Sequence, residues 1–157
     1  MRKLLISIAL WGGISSALRK IILNSFGHKI TAIYADCQIG RGPGHLFMGE
    51  GSYCNANCFF DLNSDIHIGK NVSIGMRCTF ITTSHDIGTS TKRAGKTQSS
   101  PIKIGDGSWI GGCCTILPGV TIGSGVVVGA GSLITTDLEE NGLYLGRPAK
   151  LIRKLHN

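Results

Sequence analysis

Acidic side chains are scarce in this 157-residue chain: nine Asp and Glu stand against sixteen Lys and Arg, and none precedes Asp36. The formal net charge of +7 points to an anionic partner. Two further absences exclude nucleic acid from that role: no basic run is interleaved with aromatic rings, and no base-reading motif is present. A phosphorylated cofactor or an anionic membrane surface suits the charge distribution better. Long apolar runs are missing as well. The stretch from Leu4 to Leu18 has the basic start and apolar middle of a signal peptide. However, Arg19-Lys20 follow at once, and Gly12-Gly13 and Ser15-Ser16 break a run already too short to span a bilayer.

Glycine, by contrast, is abundant, with twenty-three residues, about twice its ordinary share, and it is placed periodically. From Ile104 an aliphatic residue recurs every six positions, usually followed by glycine: Ile104-Gly105, Ile110-Gly111, Ile116-Leu117, Ile122-Gly123, Val128-Gly129, Ile134-Thr135. Four places after each comes a small or β-branched residue: Ser108, Cys114, Val120, Val126, Ser132. A period of six fits neither a helix nor simple strand alternation. It fits a chain that turns a corner every six residues, the hexapeptide signature of a parallel β-helix, in which roughly 18 residues close one coil.

The same frame explains the six cysteines. Carried backwards, it sets Ile68, Ile74 and Phe80, then Met48, Cys54 and Phe60, on the aliphatic place, with Ile33 and Ile39 as its start. Cys37, Cys58, Cys78 and Cys114 then take the small inward place, and only Cys113 points outward. Cysteine used as a small buried hydrophobe suits a reducing compartment, so the expectation is cytoplasmic, with packing preferred over disulfides or a metal site.

The single expected domain divides into an N-terminal apolar and basic helical segment, residues 1–30, and a β-helix with a short C-terminal tail, residues 31–157. Leu4, Ile8, Trp11, Leu18 and Ile22 make an apolar stripe at helical spacing. Packing on the β-helix or on a neighbouring subunit is one reading of residues 1–26. A basic amphipathic helix lying on the inner face of the plasma membrane is a second, and a cleaved signal is a third. The repeat is irregular near Gly40–His45 and slips by eight residues between Phe60 and Ile68. It stops after Phe80, and the almost wholly polar stretch of about 86–101 is expected to be an excursion loop, the kind of insertion that carries function on a rigid scaffold. The repeat itself ends near Ile134.

His85 stands where the repeat breaks, in Ile81-Thr82-Thr83-Ser84-His85-Asp86, and a histidine there is a candidate general base. The strings Trp109-Ile110-Gly111-Gly112, Ile116-Leu117-Pro118-Gly119-Val120-Thr121-Ile122-Gly123, Val128-Gly129-Ala130-Gly131-Ser132 and Gly146-Arg147-Pro148-Ala149-Lys150 resemble those of the hexapeptide-repeat acyltransferases. Within that superfamily, the match over about residues 46–155 is closest to the sugar and polysaccharide O-acetyltransferases, the maltose and galactoside acetyltransferase group. The resemblance implies an all-β, left-handed parallel β-helix, a homotrimer, and acetyl-CoA held between neighbouring subunits. The left hand comes from the resemblance alone, since general chain rules favour right-handed crossovers.

The resemblance also implies residue roles. His85 is the base that takes the acceptor hydroxyl proton, and the backbone N–H of Gly112 receives the oxyanion. Trp109, Gly112, Ala130, Thr135, Thr136, Arg147, Lys150 and Arg153 match cofactor-contacting positions. Thr136 is commonly lysine in the family, so one phosphate contact is expected to be either missing or replaced by Arg147 or Lys154. Asn55, Asp61 and Asn63 match the acceptor side, where a turn-stabilising asparagine is the competing reading. No metal is implied. The N-terminal segment lacks the helical start usual in the maltose and galactoside enzymes, which leans towards a nucleotide-linked or lipid-linked saccharide rather than a free one. The implied activity is O-acetylation of a sugar in bacterial surface polysaccharide synthesis. Serine, an amino-sugar or an antibiotic remain alternative acceptors, and a non-catalytic trimeric scaffold is the reading from another class. A γ-carbonic anhydrase zinc site needs a second histidine five residues from the first, and Ser90 occupies that place.

Overall fold

The computed structural model describes residues 14–34, 36–40 and 42–156. It is a parallel β-solenoid whose strands, mostly two or three residues long, stack into three faces. Each face can be named by a residue it displays. The lysine face stacks Leu46–Met48, Ile66–Ile68, Ile102–Ile104 and Thr121–Ile122. The tryptophan face stacks Tyr53–Cys54, Ser73–Ile74, Trp109–Ile110, Val127–Val128 and Gly142–Gly146, with Ala149–Lys154 antiparallel at its edge. The phenylalanine face stacks Gln38–Ile39, Phe59–Phe60, Thr79–Phe80, Thr115–Ile116 and Leu133–Ile134. Along the chain the order is lysine, tryptophan, phenylalanine, then the next coil.

The six-residue period produces this arrangement directly. In each short strand the aliphatic residue points inward, and the register stacks like on like: Ile74, Ile110 and Val128 pair in one column, and Phe60, Phe80, Ile116 and Ile134 in another. All seven are buried. The Phe60 and Phe80 rings are parallel at 4.8 Å, so the column continues as an aromatic stack. Glycine follows the inward residue because coils lie a single strand spacing apart. A Cβ at Gly105 would come within 2.5 Å of the Ser124 nitrogen, and one at Gly111 within 2.6 Å of the Ala130 nitrogen. The expected inward places, Cys37, Cys58, Cys78, Cys114, Ser108, Val120, Val126 and Ser132, are at most 2% exposed, and Cys54 is buried too. Cys113 alone among the cysteines is exposed, with a left-handed φ of 60° at its corner. The sulfurs of Cys37, Cys54 and Cys58 lie within 4.8 Å of one another, and their hydrogen bonds go to backbone carbonyls of the same corner, those of Asn55, Ala56 and Gly75.

Three expectations need correction. The excursion is not an irregular loop but a β-hairpin, Thr83–Ile87 paired antiparallel with Ala94–Ser99. Its strands project from the prism with most side chains exposed. Backbone pairing rather than burial defines them, so no apolar alternation marked them. The solenoid also continues past Ile134: Leu138 bridges Ile122 in parallel, and Leu143 and Tyr144 pair with Val127 and Val128. The step to Leu138 is four residues instead of six, which hides this last partial coil. Finally, the described helix, α1 (Ser16–Asn24), is capped by Ser15 and seats Arg19 and Leu23 against the prism, at 3% and 0% exposure. Leu18, expected on the apolar stripe, is 47% exposed. Arg19 displaces the stripe because its guanidinium donates to the Ile33 carbonyl at 2.9 Å, which satisfies a buried charge. Leu4, Ile8 and Trp11 lie outside the described residues. No helix among the described residues is long and apolar enough to cross a membrane.

Candidate active site

His85 lies at the corner between the phenylalanine and lysine faces, where the chain leaves Phe80 for the hairpin and returns to Ile102. Its ring is exposed, and Nδ1 lies 3.1 Å from the Gly95 carbonyl on the opposite hairpin strand. A carbonyl only accepts, so Nδ1 carries the proton, and the lone pair of the corresponding tautomer is on Nε2. That is the tautomer a general base needs, and the hairpin sets it. Gly95 bore no signal in the sequence, because its role is carried by a main-chain oxygen.

Asp61 and Asn63 sit one coil away at the same corner. Asn63 donates to Asp61 at 2.7 Å, and the Thr82 N–H donates to the other carboxylate oxygen at 3.2 Å. Partial burial pushes the Asp61 carboxyl up. The Thr83 hydroxyl beside it, the Asn63 amide and Thr82 outweigh that and hold its pKa below the usual carboxylate range.

Gly112 stands at a different corner, between the tryptophan and phenylalanine faces, as do Asn55 and Ala130. Asn55 closes its own turn, accepting from the Ala56 N–H at 2.7 Å. At Gly112 the Gly111 carbonyl points into the core, where the Cys78 thiol donates to it at 3.1 Å. The only cis peptide among the described residues is Arg147-Pro148. In a trans peptide the N–H opposes the C=O, so the Gly112 N–H points outward. The same holds one coil further on, where Cys114 and Ser132 donate to the Gly129 carbonyl and leave the Ala130 N–H facing out. A Cβ at Gly112 would approach the Met76 carbonyl to 3.2 Å, so glycine lets the two coils stack closely at this corner. Trp109, 58% exposed, flanks it on the tryptophan face.

The remaining expected cofactor residues gather at the last coils. Thr135 and Thr136 are exposed at the phenylalanine–lysine corner, above His85. In the terminal hairpin Arg153 pairs with Leu143 and Lys150 with Leu145, across an irregularity after Leu143. Leu143 and Leu145 flank the inward Tyr144, so both cations share the outward side, although three residues apart in sequence. Arg147 reaches back to the Gly131 carbonyl at 3.2 Å, tying the tail to the Gly112 corner. Lys154 is paired with Glu139 at 2.9 Å, which leaves Arg147 better placed than Lys154 to replace the lysine absent at Thr136.

Within one chain, then, His85 and the Gly112 N–H occupy separate corners at either end of the phenylalanine face. That face shows Gln38, Phe59, Thr79, Thr115 and Leu133 outward, with no charge among them. The lysine face, by contrast, displays Lys29, Phe47, His67, Lys103 and Thr121 in successive rungs.

The geometry agrees with what the chain resembles. The family model for the bacterial transferase hexapeptide (six repeats) matches residues 101–136. A Staphylococcus aureus protein named as a candidate acetyltransferase is 43% identical over 110 residues, which is 70% of this chain and 55% of that protein. The chain thus spans about half the length of the curated relatives it matches. The crystal structure of a maltose O-acetyltransferase from Clostridium difficile superposes with a TM-score of 0.86 at 32% identity, covering 99% of this chain and 85% of that one. A hexapeptide-repeat acetyltransferase from Vibrio cholerae, solved with acetyl coenzyme A, gives 0.87 at 29% identity, covering 99% and 86%. Both likenesses extend over 99% of the chain. The chain belongs to the bacterial hexapeptide-repeat transferases.

Proposed function

We propose that this protein is an acetyl-CoA-dependent O-acetyltransferase that modifies a sugar hydroxyl, working as a homotrimer in the cytoplasm during bacterial surface polysaccharide synthesis. The observation that carries the reading is the pairing of a tautomer-fixed His85 with an outward Gly112 N–H at the two ends of an uncharged face. Three prisms turning that face toward a common axis form a closed ring. The His85 corner of one protomer then meets the Gly112 corner of the next, and the two halves of the site come together only between subunits.

The chemistry is direct transfer. His85 Nε2 takes the proton of the acceptor hydroxyl as its oxygen attacks the thioester carbonyl. The Gly112 N–H stabilises the resulting oxyanion, a contribution typically worth about 3–4 kcal/mol for one such donor. Collapse breaks the C–S bond, and the imidazolium returns its proton to the departing thiolate. Holding both substrates in one cleft removes the need for a covalent enzyme intermediate. Ala130 and Thr135 suit the pantetheine arm, Trp109 flanks it, and Thr136, Arg147, Lys150 and Arg153 suit its phosphates. Asp61 and Asn63 beside His85, and Asn55 from the neighbouring corner, suit the hydroxyls of a saccharide, free, nucleotide-linked or lipid-linked. The likeness to a maltose O-acetyltransferase supports a sugar acceptor, and the likeness to an acetyl-CoA complex supports the donor. Exposed Leu18, Lys20 and Ile21 on the helix suit a peripheral membrane contact through residues 1–26.

The test is an acetyl-CoA consumption screen against sugars, nucleotide sugars and polysaccharide fragments, with sedimentation to establish the assembly. Acetylated saccharide formed by a trimer is expected. Transfer confined to amines or to serine, or full activity in a monomer, overturns the reading.

A further inference from the structure

Cys37, Cys58, Cys78 and Cys114 all occupy the inward place at one corner, the corner that carries Gly112 and Ala130. At the corner between the lysine and tryptophan faces the same place holds Ser52 and Ser108. Each thiol donates to a carbonyl one coil on: Cys37 to Asn55 at 3.2 Å, Cys58 to Gly75 at 3.2 Å, Cys78 to Gly111 at 3.1 Å and Cys114 to Gly129 at 3.3 Å. The third of these carbonyls belongs to the peptide group whose N–H faces outward at Gly112.

We propose that Cys78 is a positioning residue for acetyl transfer, its thiol orienting and polarising from the core the peptide whose N–H receives the oxyanion. The inference rests on the acetyltransferase reading and on the role given to Gly112. Its physical basis is cooperativity: a donor placed on a peptide carbonyl draws charge through the amide and strengthens the N–H on its other side. Cys78 is fully buried and Gly111 is buried too, so this hydrogen bond is shielded from bulk solvent. The thiols of Cys114 and Cys58 beside it, together with burial, push the Cys78 thiol up, so it remains protonated and able to donate. A hydrogen bond on the carbonyl also fixes the tilt of the peptide plane, and with it the direction of the N–H.

Valine tests this without breaking the fold, because Val120 and Val126 occupy the same place in other repeats. Cys78→Val removes the donor and keeps the packing. Ser108→Val is the control: equally buried and similarly bonded, but to the Gly123–Ser124 peptide at another corner, where Val126 fills the same place. Steady-state kinetics on the active trimer should show kcat about two- to five-fold lower in Cys78→Val, from a 10–30% weakening of one oxyanion contact. The KM for acetyl-CoA should be unchanged. Cys78→Ser, which restores a donor, should recover most of the loss, and Ser108→Val should keep kcat while losing comparable thermal stability. Wild-type kcat in Cys78→Val, an equal loss in Ser108→Val, or no recovery in Cys78→Ser each overturns the inference alone. A wild-type trimer that transfers acetyl to no saccharide, or a fully active His85→Ala, removes the underlying reading and the inference together.

Discussion

Replacing His85 with alanine separates a catalytic role from a structural one, because the structure assigns the side chain almost no part in stability. The ring is exposed, and its single hydrogen bond, Nδ1 to the Gly95 carbonyl at 3.1 Å, joins two strands already paired along their backbones. Surface substitutions of that kind stay within about 0.5 kcal/mol of wild type. The catalytic cost is far larger. Losing a positioned general base removes about 10²- to 10⁴-fold from kcat, or about 3–5 kcal/mol of transition-state stabilisation. The acetyl-CoA Kd should be unchanged, since the phosphates are assigned to the terminal tail. The assay should follow acetyl-CoA and CoA by chromatography, because exposed Cys113 would react with thiol reagents. His85→Gln should be as inactive as the alanine variant, because an amide has no basic lone pair. A kcat within threefold of wild type in either variant would refute His85 as the base. A kcat loss accompanied by dissociation or unfolding would assign it a structural role instead.

Charge reversal at Lys150 and Arg153, which share the outward side of the terminal hairpin, should weaken acetyl-CoA binding at least about tenfold by calorimetry. Sedimentation of that variant should be unaltered. Asp61 has a depressed pKa in the folded protein, so its contribution to stability is present above the unfolded carboxylate value, about 3.9, and is lost as pH falls through the folded one. Asp61→Asn should therefore lower the urea midpoint near neutral pH and converge with wild type in strong acid; a difference that grows on acidification would contradict the sign. Leu18→Asp and Ile21→Asp, both exposed on the helix, should reduce sedimentation with anionic vesicles and leave the fold intact. Unchanged partitioning would end the membrane reading of residues 1–26.

The period of six was legible because the constraint behind it is local and repeated. Every coil needs an inward aliphatic residue, a glycine where the next coil stacks, and a small residue at the corner, as Ile110, Gly111 and Cys114 illustrate. Burial of Cys37, Cys54, Cys58, Cys78 and Cys114 followed from phase alone. The break after Phe80 marked His85 for the same reason, since an interruption in a strict repeat is itself a signal. The partial coil from Leu138 to Tyr144 escaped notice because its first step is four residues. Leu18 was misplaced because a buried arginine, bonded to the Ile33 carbonyl, took the place a hydrophobic pattern reserves for an apolar side chain.

By itself, then, the sequence determined the prism, its inward columns and the point at which the chain departs from it, because those depend on contacts between residues at fixed spacing. Only the tertiary structure decided how the functional groups are presented. It turned the polar excursion into a hairpin whose Gly95 carbonyl selects the His85 tautomer. It placed the Cys78 thiol beneath the Gly111 carbonyl, so that the Gly112 N–H faces outward. It also set the His85 and Gly112 corners apart on one chain, at the two edges of an uncharged face. The physical reason is common to all three. Each depends on main-chain atoms or on the geometry of closure around the prism, which bring together groups distant in sequence that no local pattern of residues records.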